Sequence, residues 1–415
     1  MTFLFVGACA GPELTHDDVV PGGVVFAEDT SVEDAPGLDE TGEPAKDTGS
    51  QADDTAEDAT DYATFYTFGT VQEVRFILTE DTIDELNRQA RRGTFEYLPG
   101  DVQINGRDYP NVGVRIKGSS TLRDFDSKPS LKIKLDKFEA GQDYAGLERI
   151  TLNNMVEDQS QTKEVMNYRV FREMGFPASN ANHATVYVND EYYGLYANIE
   201  TLDDEWLEPR FEDASGDLWE ANDYADFSRQ GVEYWSIASG EGDQSRLEAV
   251  SDALRGDDEY EMVNLVLDIE QFQRWWVTRL ITGYVDGYPY SLNDCYLYAD
   301  PSDGDRFLFI PWGVDESWNS GAPAYWRSVS GELASMCLRD SVCEADLMVR
   351  AREQFDQFAT LDPGIWLDEE RLAIEPFLAS DERRSTSVDT VHKAMDKLSE
   401  DLLAIPDELR REMGI

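Results

Sequence analysis

Val112-Gly-Val-Arg-Ile-Lys-Gly-Ser-Ser120 and, one short loop later, Lys128-Pro-Ser-Leu-Lys-Ile-Lys-Leu135 are the stretch whose reading decides the fold. Both alternate apolar and polar residues with period two, the pattern of half-buried strands. In the second, Leu131, Ile133 and Leu135 fall on one face and Lys132 and Lys134 on the other, so two ammonium groups point the same way from a rigid support. Asp101-Val-Gln-Ile104 leads into the first across Asn105-Gly106, a dipeptide suited to a tight hairpin. The spacing predicts an antiparallel meander. Between its last two strands, Lys117-Gly118-Ser119-Ser120-Thr121 is a loop of small and hydroxyl residues. Its backbone N–H groups suit a close approach to phosphate oxygens, and equally a simple turn.

Working outward, Val71 to Leu78 alternates as a strand, and Glu80 to Arg91 opens with an acidic turn and continues in helix formers. Asp158 or Ser160 caps a helix with Val165, Tyr168, Val170 and Phe171 on its apolar side, ended by Gly175 and Pro177. Ala184 to Glu200 reads as a hairpin running on into Leu202 to Trp206. In the second half, an amphipathic helix from Ile269 leads into Gly283-Tyr-Val-Asp286, followed by aromatic strands ending at Tyr298 and Trp312, and two amphipathic helices lie between Leu361 and Ile415. The fold class is therefore α+β with two lobes. Residues 66–205 form an N-lobe of antiparallel sheet plus helix, residues 206–415 a mainly helical C-lobe, and ligands belong in the cleft between.

Of 415 residues, 85 are acidic and 35 basic, a net charge of -50, which excludes a nucleic-acid reader or a binder of anionic membrane faces. Four cysteines and three histidines include no CxxC pair and no HExxH, so any metal must be a hard ion held by oxygen. Cys337 and Cys343 can close a short disulfide loop in an oxidising compartment, leaving Cys295 over. The stretch from Gly11 to Thr60 has Lys46 as its one basic residue and Phe26 as its one aromatic. With so little to bury, residues 10–65 read as a disordered acidic linker. Residues 1–9 end in Val6-Gly-Ala-Cys9, small residues before a cysteine, without a basic leader segment. They are similar to a lipobox, which predicts a lipid on Cys9 as the sole membrane attachment and a place at the cell envelope. No apolar run reaches the roughly 18 residues that span a bilayer.

Asp286, Asn293, Asp294 and Asp315 lie on two turns flanking a hairpin of aromatic strands. One Asp to orient or deprotonate a hydroxyl, with further oxygens to hold a dication, is what phosphoryl transfer requires. Spacing alone is equally satisfied by turn-capping residues in an Asp-rich chain.

Taken in order, Arg115-Ile-Lys-Gly-Ser-Ser120, Lys128-Pro-Ser-Leu-Lys-Ile-Lys134, Asp158 with Ser160 before a helix ending in Glu173-Met-Gly175, Tyr193-Gly-Leu-Tyr-Ala-Asn-Ile-Glu200, Asp286 to Tyr298 and Pro311-Trp-Gly-Val-Asp315 resemble the CotH kinase family, relatives of spore coat protein H. The likeness runs over roughly residues 70 to 350. It implies an atypical protein-kinase-like fold, ATP with Mg²⁺ (or Mn²⁺ or Ca²⁺) between the lobes, and transfer of phosphate to Ser or Thr of an unidentified protein substrate. Carried over, Lys134 or its neighbour Lys132 would hold ATP phosphates, with Arg115 and the Ser119-Ser120 loop close by. Glu164 would orient that lysine, Glu200 would join the cofactor-binding set, and Asp286 would act with Lys134 in catalysis. The family's metal-binding asparagine falls on Asp294, with Asn293 the shifted option, and Asp315 would complete the metal site. One departure stands out. Family members commonly read Pro-Trp-Asp-x-Asp where this chain has Pro311-Trp312-Gly313-Val314-Asp315, so Asp315 or Glu316 must substitute for the lost carboxylate, or the protein is a pseudokinase. The competing expectations are a surface binding or adhesion module without turnover, and an envelope protein stiffened by calcium, for which no EF-hand spacing is present.

Overall fold

The meander forms and goes on to close upon itself. The computed structural model describes residues 62–284, 286–319 and 321–415. Strands β1 (Val71–Ile77), β2 (Leu98–Ile104), β3 (Arg107–Lys117), β4 (Ser130–Lys134), β5 (Arg149–Asn153), β6 (Ala181–Val188) and β7 (Glu191–Ile199) make a closed barrel in the order β1-β2-β3-β4-β5-β7-β6. Asn105 and Gly106 turn β2 into β3, both at positive φ as a tight hairpin needs, and Asn189 and Asp190 do the same between β6 and β7. The expected purely antiparallel sheet is corrected at one seam. β1 pairs parallel with β6, from Val71 opposite His183 to Phe76 opposite Val188. The two strands are far apart in sequence, so no local pattern announces the pairing. The barrel interior is a dry core of Val74, Phe76, Val102, Ile104, Val114, Ile116, Leu131, Ile133, Ile150 and Leu152.

A second sheet, of β8 (Leu218–Ala221), β9 (Trp235–Ser239), β10 (Cys295–Asp300) and β11 (Arg306–Pro311), runs antiparallel in the order β11-β10-β8-β9. The aromatic hairpin is its β10–β11 half; β8 and β9 join a half expected to be mainly helical. Its helices start where Asp and Ser side chains take up free backbone N–H groups: Asp268 for Ile269–Ile281, Asp340 for Ser341–Phe358, Asp362 for Pro363–Leu378 and Ser387 for Val388–Met413. Phe272, Trp275 and Trp276 of the first of these meet Phe309 and Phe171 in a second core. The helix Lys163–Glu173 buries Val165, Met166, Tyr168, Val170 and Phe171 in this same core, so it belongs by packing to the second core while the barrel lies against its start. The expected cap at Asp158 or Ser160 is corrected: the N-cap residue is Thr162, which makes no side-chain capping bond, and Asp158 reaches the first turn from four residues further back, accepting from Lys163 N at 2.7 Å.

The order begins with the short helix Tyr62–Phe65, and Phe65, placed by sequence in the linker, is buried against Tyr66 and Tyr144. The expected lipid-bearing Cys9 and the acidic linker up to residue 61 lie outside the described residues. Cys337 and Cys343 are joined by a disulfide, and Cys295 is free and buried. Among the described residues no helix is long and apolar enough to cross a membrane.

The C-terminal helices lock the barrel to the second core. Glu370 lies 2.8 Å from His183 on β6, and its other oxygen accepts from Gly69 N, with both side chains fully enclosed. Beyond Leu378, Asp381 inserts against β7. It accepts from Lys128 Nζ at 2.8 Å and Leu195 N at 3.0 Å, where Gly194 at φ +118 leaves room that any Cβ would fill. Both side chains of this ion pair are 1% exposed, and desolvation holds Lys128 below the ordinary lysine range while Asp381 opposes it. Asp381→Ala, which strands the ammonium, is expected to cost about 3–5 kcal/mol in urea unfolding, and the double change Lys128→Met with Asp381→Leu to recover most of it. A single variant as stable as the wild type would show that the pair carries no such strain.

Candidate active site

The register of β3 against β4 decides which ammonium faces the cleft. Val114, Ile116, Leu131 and Ile133 point into the barrel, so Arg115, Lys117, Lys132 and Lys134 share its outer face. Lys117 stands opposite Ser130, Arg115 opposite Lys132, and Gly113 opposite Lys134. β3 leaves the sheet at Lys117, and a cavity of 390 Å³ opens there, with Lys117, Gly118, Ser119, Ser120 and Ser130 on its barrel side. Along β4, Lys132 sits about 7 Å and Lys134 about 13 Å back from Ser130 at roughly 3.3 Å per residue. Lys134 is therefore not among the cavity residues; it pairs with Asp136 at 3.6 Å. Lys117 is the ammonium in the cleft.

Lys117 Nζ donates to Asn153 Oδ1 at 2.5 Å, and Asn153 Nδ2 donates to Glu164 Oε1 at 2.7 Å. The orienting role expected of Glu164 thus reaches a lysine through an amide from β5. Desolvation lowers the Lys117 pKa against the pull of Glu164 and Asp315, and raises Glu164 to about 8. Trp312 lies under both amines, 5.8 Å from Lys117 and 6.0 Å from Lys132, and Lys132 falls to about 7 through desolvation with Arg115 and Lys117 beside it.

Facing them are the two turns of the second sheet. Asp286, Asn293, Asp294, Asp315 and Glu316 all line the cavity. Asn293 Oδ1 is taken by Gly287 N at 3.2 Å and its carbonyl by Tyr288 N, so this asparagine braces the Asp286 loop. Tyr284 Oη donates to the carbonyls of Asp294 at 3.1 Å and Trp312 at 2.9 Å, tying one turn to the other. Asp315 rides on the short 3-10 turn Val314–Glu316, which starts at Gly313 in the left-handed region, φ +61. A Cβ on Gly313 would lie 2.6 Å from Asp294 Cγ, so the Asp294 carboxylate occupies the space a side chain at 313 would enter. Desolvation and the neighbouring Asp286 and Asp315 push Asp294 well above the usual carboxylate range, and desolvation carries Asp315 to about 7.

Lys132, like Lys134, is not among the cavity residues, and two further expected site residues lie elsewhere. Arg115 stacks over Tyr97 at 5.3 Å and is not a cavity residue. Glu200, past the end of β7, accepts from Asn180 N at 2.7 Å and Arg210 Nη2 at 2.5 Å, bracing the chain there. The structure adds Asn153, Asn154, Glu157, Asp223 and Trp312 to the cleft. Lys117 was legible in one respect, being the last strand residue before the hydroxyl loop; Asp223, brought in by β8, had no signal at all.

A family model described as CotH kinase protein matches residues 114–360, more than half of the chain. The chain belongs to the CotH kinase family. It is 24% identical over 251 residues to the inner spore coat protein H of Bacillus subtilis, covering 57% of this chain and 64% of that protein. To spore coat protein homolog 1 of Rhizopus delemar it is 25% identical over 194 residues, covering 43% of this chain and 31% of that one. The chain thus spans less than two thirds of either relative. Among solved structures, a chain of the Shewanella oneidensis MR-1 toxin–antitoxin complex of HipA, HipB and operator DNA shares 12% identity over 81% of this chain and 74% of that one, with a TM-score of 0.34, a low overall likeness.

The clustered acids set a pH dependence for the chain without metal or nucleotide. Glu164 and Asp315 keep their protons to about 8 and about 7 when folded but release them in the ordinary carboxylate range when unfolded. From pH 5 to 7 the folded chain holds more protons, so their effect is to lower stability as pH rises. Lys132 acts in the opposite sense only above about 7. In urea titrations over pH 5 to 7, Glu164→Gln is expected to make this decline shallower; equal slopes for variant and wild type would contradict the assignment.

Proposed function

We propose that this member of the CotH kinase family is a metal-dependent protein kinase with a two-lobed, atypical kinase-like architecture, moving the ATP γ-phosphate to Ser or Thr of a protein. The barrel with residues 66–205 serves as the upper lobe and residues 206–415 as the lower. The observation that carries the reading is the Lys117–Asn153–Glu164 relay facing Asp286, Asp294 and Asp315 across one polar cavity. Lysine on a sheet strand braced by a helix glutamate is how kinases hold triphosphate oxygens. Here Lys117, with the hydroxyls and backbone N–H groups of Ser119 and Ser120, is suited to that task. Asp286 would accept the proton of the acceptor hydroxyl as its oxygen bonds to the γ-phosphorus and the bond to the β-phosphate oxygen breaks, releasing ADP.

Among the described residues no group of three or more His, Cys, Asp or Glu is already arranged around a metal position. The donor chemistry nonetheless fits Mg²⁺ or Mn²⁺, which are bound by one or two carboxylates together with substrate phosphates and water. Asp294 and Asp315 are the residues that would hold the ion, and their raised pKa values mark a place where negative charge lacks neutralisation. When bound, the ion would neutralise charge developing on the phosphate oxygens. The Gly313 departure reads as a transposition: the carboxylate missing at 313 is supplied from position 294, whose side chain fills the same space. This reading replaces the expectation that Asp315 or Glu316 must make good the loss.

An inactive binding module on the same scaffold is the second reading, and the absence of a side chain at Gly313 is what favours it. A cell-envelope location is part of the proposal, supported by the spore coat names of the relatives, and a lipid on Cys9, resting on the Val6-Gly-Ala-Cys9 sequence alone, would be its attachment.

Thermal melting with Mg·ATP tests both readings. Saturation at about 100 times the dissociation constant stabilises by about 2.7 kcal/mol. The wild type and Asp286→Ala are expected to shift equally, while Asp286→Ala loses at least a hundredfold of phosphate transfer. Asp294→Ala is expected to abolish the metal-dependent part of the shift, and the exchange Asp294→Ala with Gly313→Asp, which clears the space a side chain at 313 needs, to restore some of it. A wild type whose melting ignores every nucleotide would defeat the kinase reading.

A further inference from the structure

The second sheet ends in an open edge beside the cleft. β9 is the last strand in the order and hydrogen-bonds to β8 on one side, so among the described residues no strand pairs with its other side. Proteins usually guard such an edge with charged side chains. The run Tyr234-Trp-Ser-Ile-Ala-Ser-Gly240 carries no charge in a chain of net charge -50, and Ser236, Ile237 and Ala238 are exposed. Where the edge begins, Tyr224 and Tyr234 meet edge to face at 5.9 Å, with Tyr224 69% exposed. Tyr224 stands at φ +75, a region that a bulky residue rarely adopts. Asn222 secures the corner by donating to Tyr234 O from its backbone N at 3.0 Å and its Nδ2 at 2.9 Å. Asp223, between these two residues, lines the cavity. An uncharged edge strand and an aromatic step therefore continue directly into the mouth of the cleft.

We propose that β9 is the docking edge for the phosphoacceptor: an extended, locally unfolded Ser- or Thr-bearing segment adds as a further strand to this sheet. Backbone pairing supplies the attachment, and alternate apolar side chains of the segment lie against Ile237 and the Tyr224–Tyr234 pair. Past Asp223, the hydroxyl residue then reaches Asp286. The meaning of the edge as an acceptor site rests on the kinase reading. Charge selects the occupant. A second copy of this chain would bring a net charge of -50 against -50, whereas a short extended segment brings only its own. The substrate class is accordingly an unfolded segment with apolar residues at alternate positions around the acceptor, in place of a folded surface.

The test uses the full chain with Mg·ATP and a degenerate library of Ser-centred peptides. Ile237→Glu and Ser236→Lys place charge on the edge, Tyr224→Ala removes the aromatic step, and Ile77→Glu adds charge at another exposed position, on β1. Expected are a peptide KM raised tenfold or more in the two edge variants and severalfold in Tyr224→Ala, with kcat and ATP hydrolysis by water within twofold of wild type, and Ile77→Glu unchanged. Unchanged peptide KM in both edge variants would overturn the proposal. If the wild type turns over no ATP, the kinase reading fails separately, and hydrogen exchange of the β9 amides with the same peptides decides the docking: slowing supports it and no slowing ends it. Concentration-dependent dimers lost in Ile237→Glu would assign the edge to a second copy and equally overturn it.

Discussion

The Lys117 ammonium is part-buried where the barrel faces the second sheet, and a desolvated cation has to be met by hydrogen bonds and opposite charge or it will lose its proton. Asn153 supplies the hydrogen bond, and Glu164 holds that amide in place from behind by accepting from its Nδ2. Those two partners come from β5 and from a helix packed into the second core, so satisfying one amine requires three elements to hold a common geometry. Other ties hold the surroundings: Tyr284 joins the two acidic turns, and away from the cleft Asp381 and Glu370 pin the C-terminal segment to the barrel.

The excess of carboxylates is equally informative once local work is separated from site work. Asp268, Asp340 and Asp362 cap helices, and Asp217 accepts from the backbone N–H groups of Glu241, Gly242 and Asp243. Each is occupied by backbone N–H groups close to it. Asp294, Asp315 and Glu164 instead have their pKa values raised, chiefly by desolvation, with Asp286 and Asp315 adding to the rise of Asp294 and Asp315 to that of Glu164, while Lys117 opposes all three. Such a group of acids holds its charge at neutral pH only when further positive charge arrives, which is why a cation accompanying an anionic substrate suits the cleft. Gly313 enters here as the permissive residue. A side chain at that position would displace the Asp294 carboxylate from the place it now holds.

Much of the fold was legible from local pattern. The hairpin turns at Asn105-Gly106 and Asn189-Asp190, the helices from Glu80, Lys163 and Ile269, and the aromatic hairpin all follow from period and capping. Within the site, Ser119, Ser120, Asp286, Asn293, Asp294 and Asp315 were named from their turns and all line the cavity. The misplacements share one cause. Lys134, Lys132 and Arg115 have the correct parity for the outer face, but parity does not say how far along a strand the cleft lies. Glu200 ends its block in sequence but serves a brace to Arg210.

By itself the chain of residues determined the strands and helices, the family, the exclusion of thiolate and imidazole metal sites, and the turns on which the acids sit, because all of these depend on neighbours within a few positions. Only the tertiary structure decided that the barrel closes through a parallel seam, that Lys117 and not Lys134 meets the acids, that Asp294 fills the space left by Gly313, and that an uncharged edge strand runs to the mouth of the cleft. Each of these is a pairing between distant elements, as in Asp294 with Gly313, 19 positions apart, and Lys117 with Asp315, 198 positions apart. Such pairings carry no local signature, since burial and charge coupling arise when elements pack and do not exist in any one of them alone.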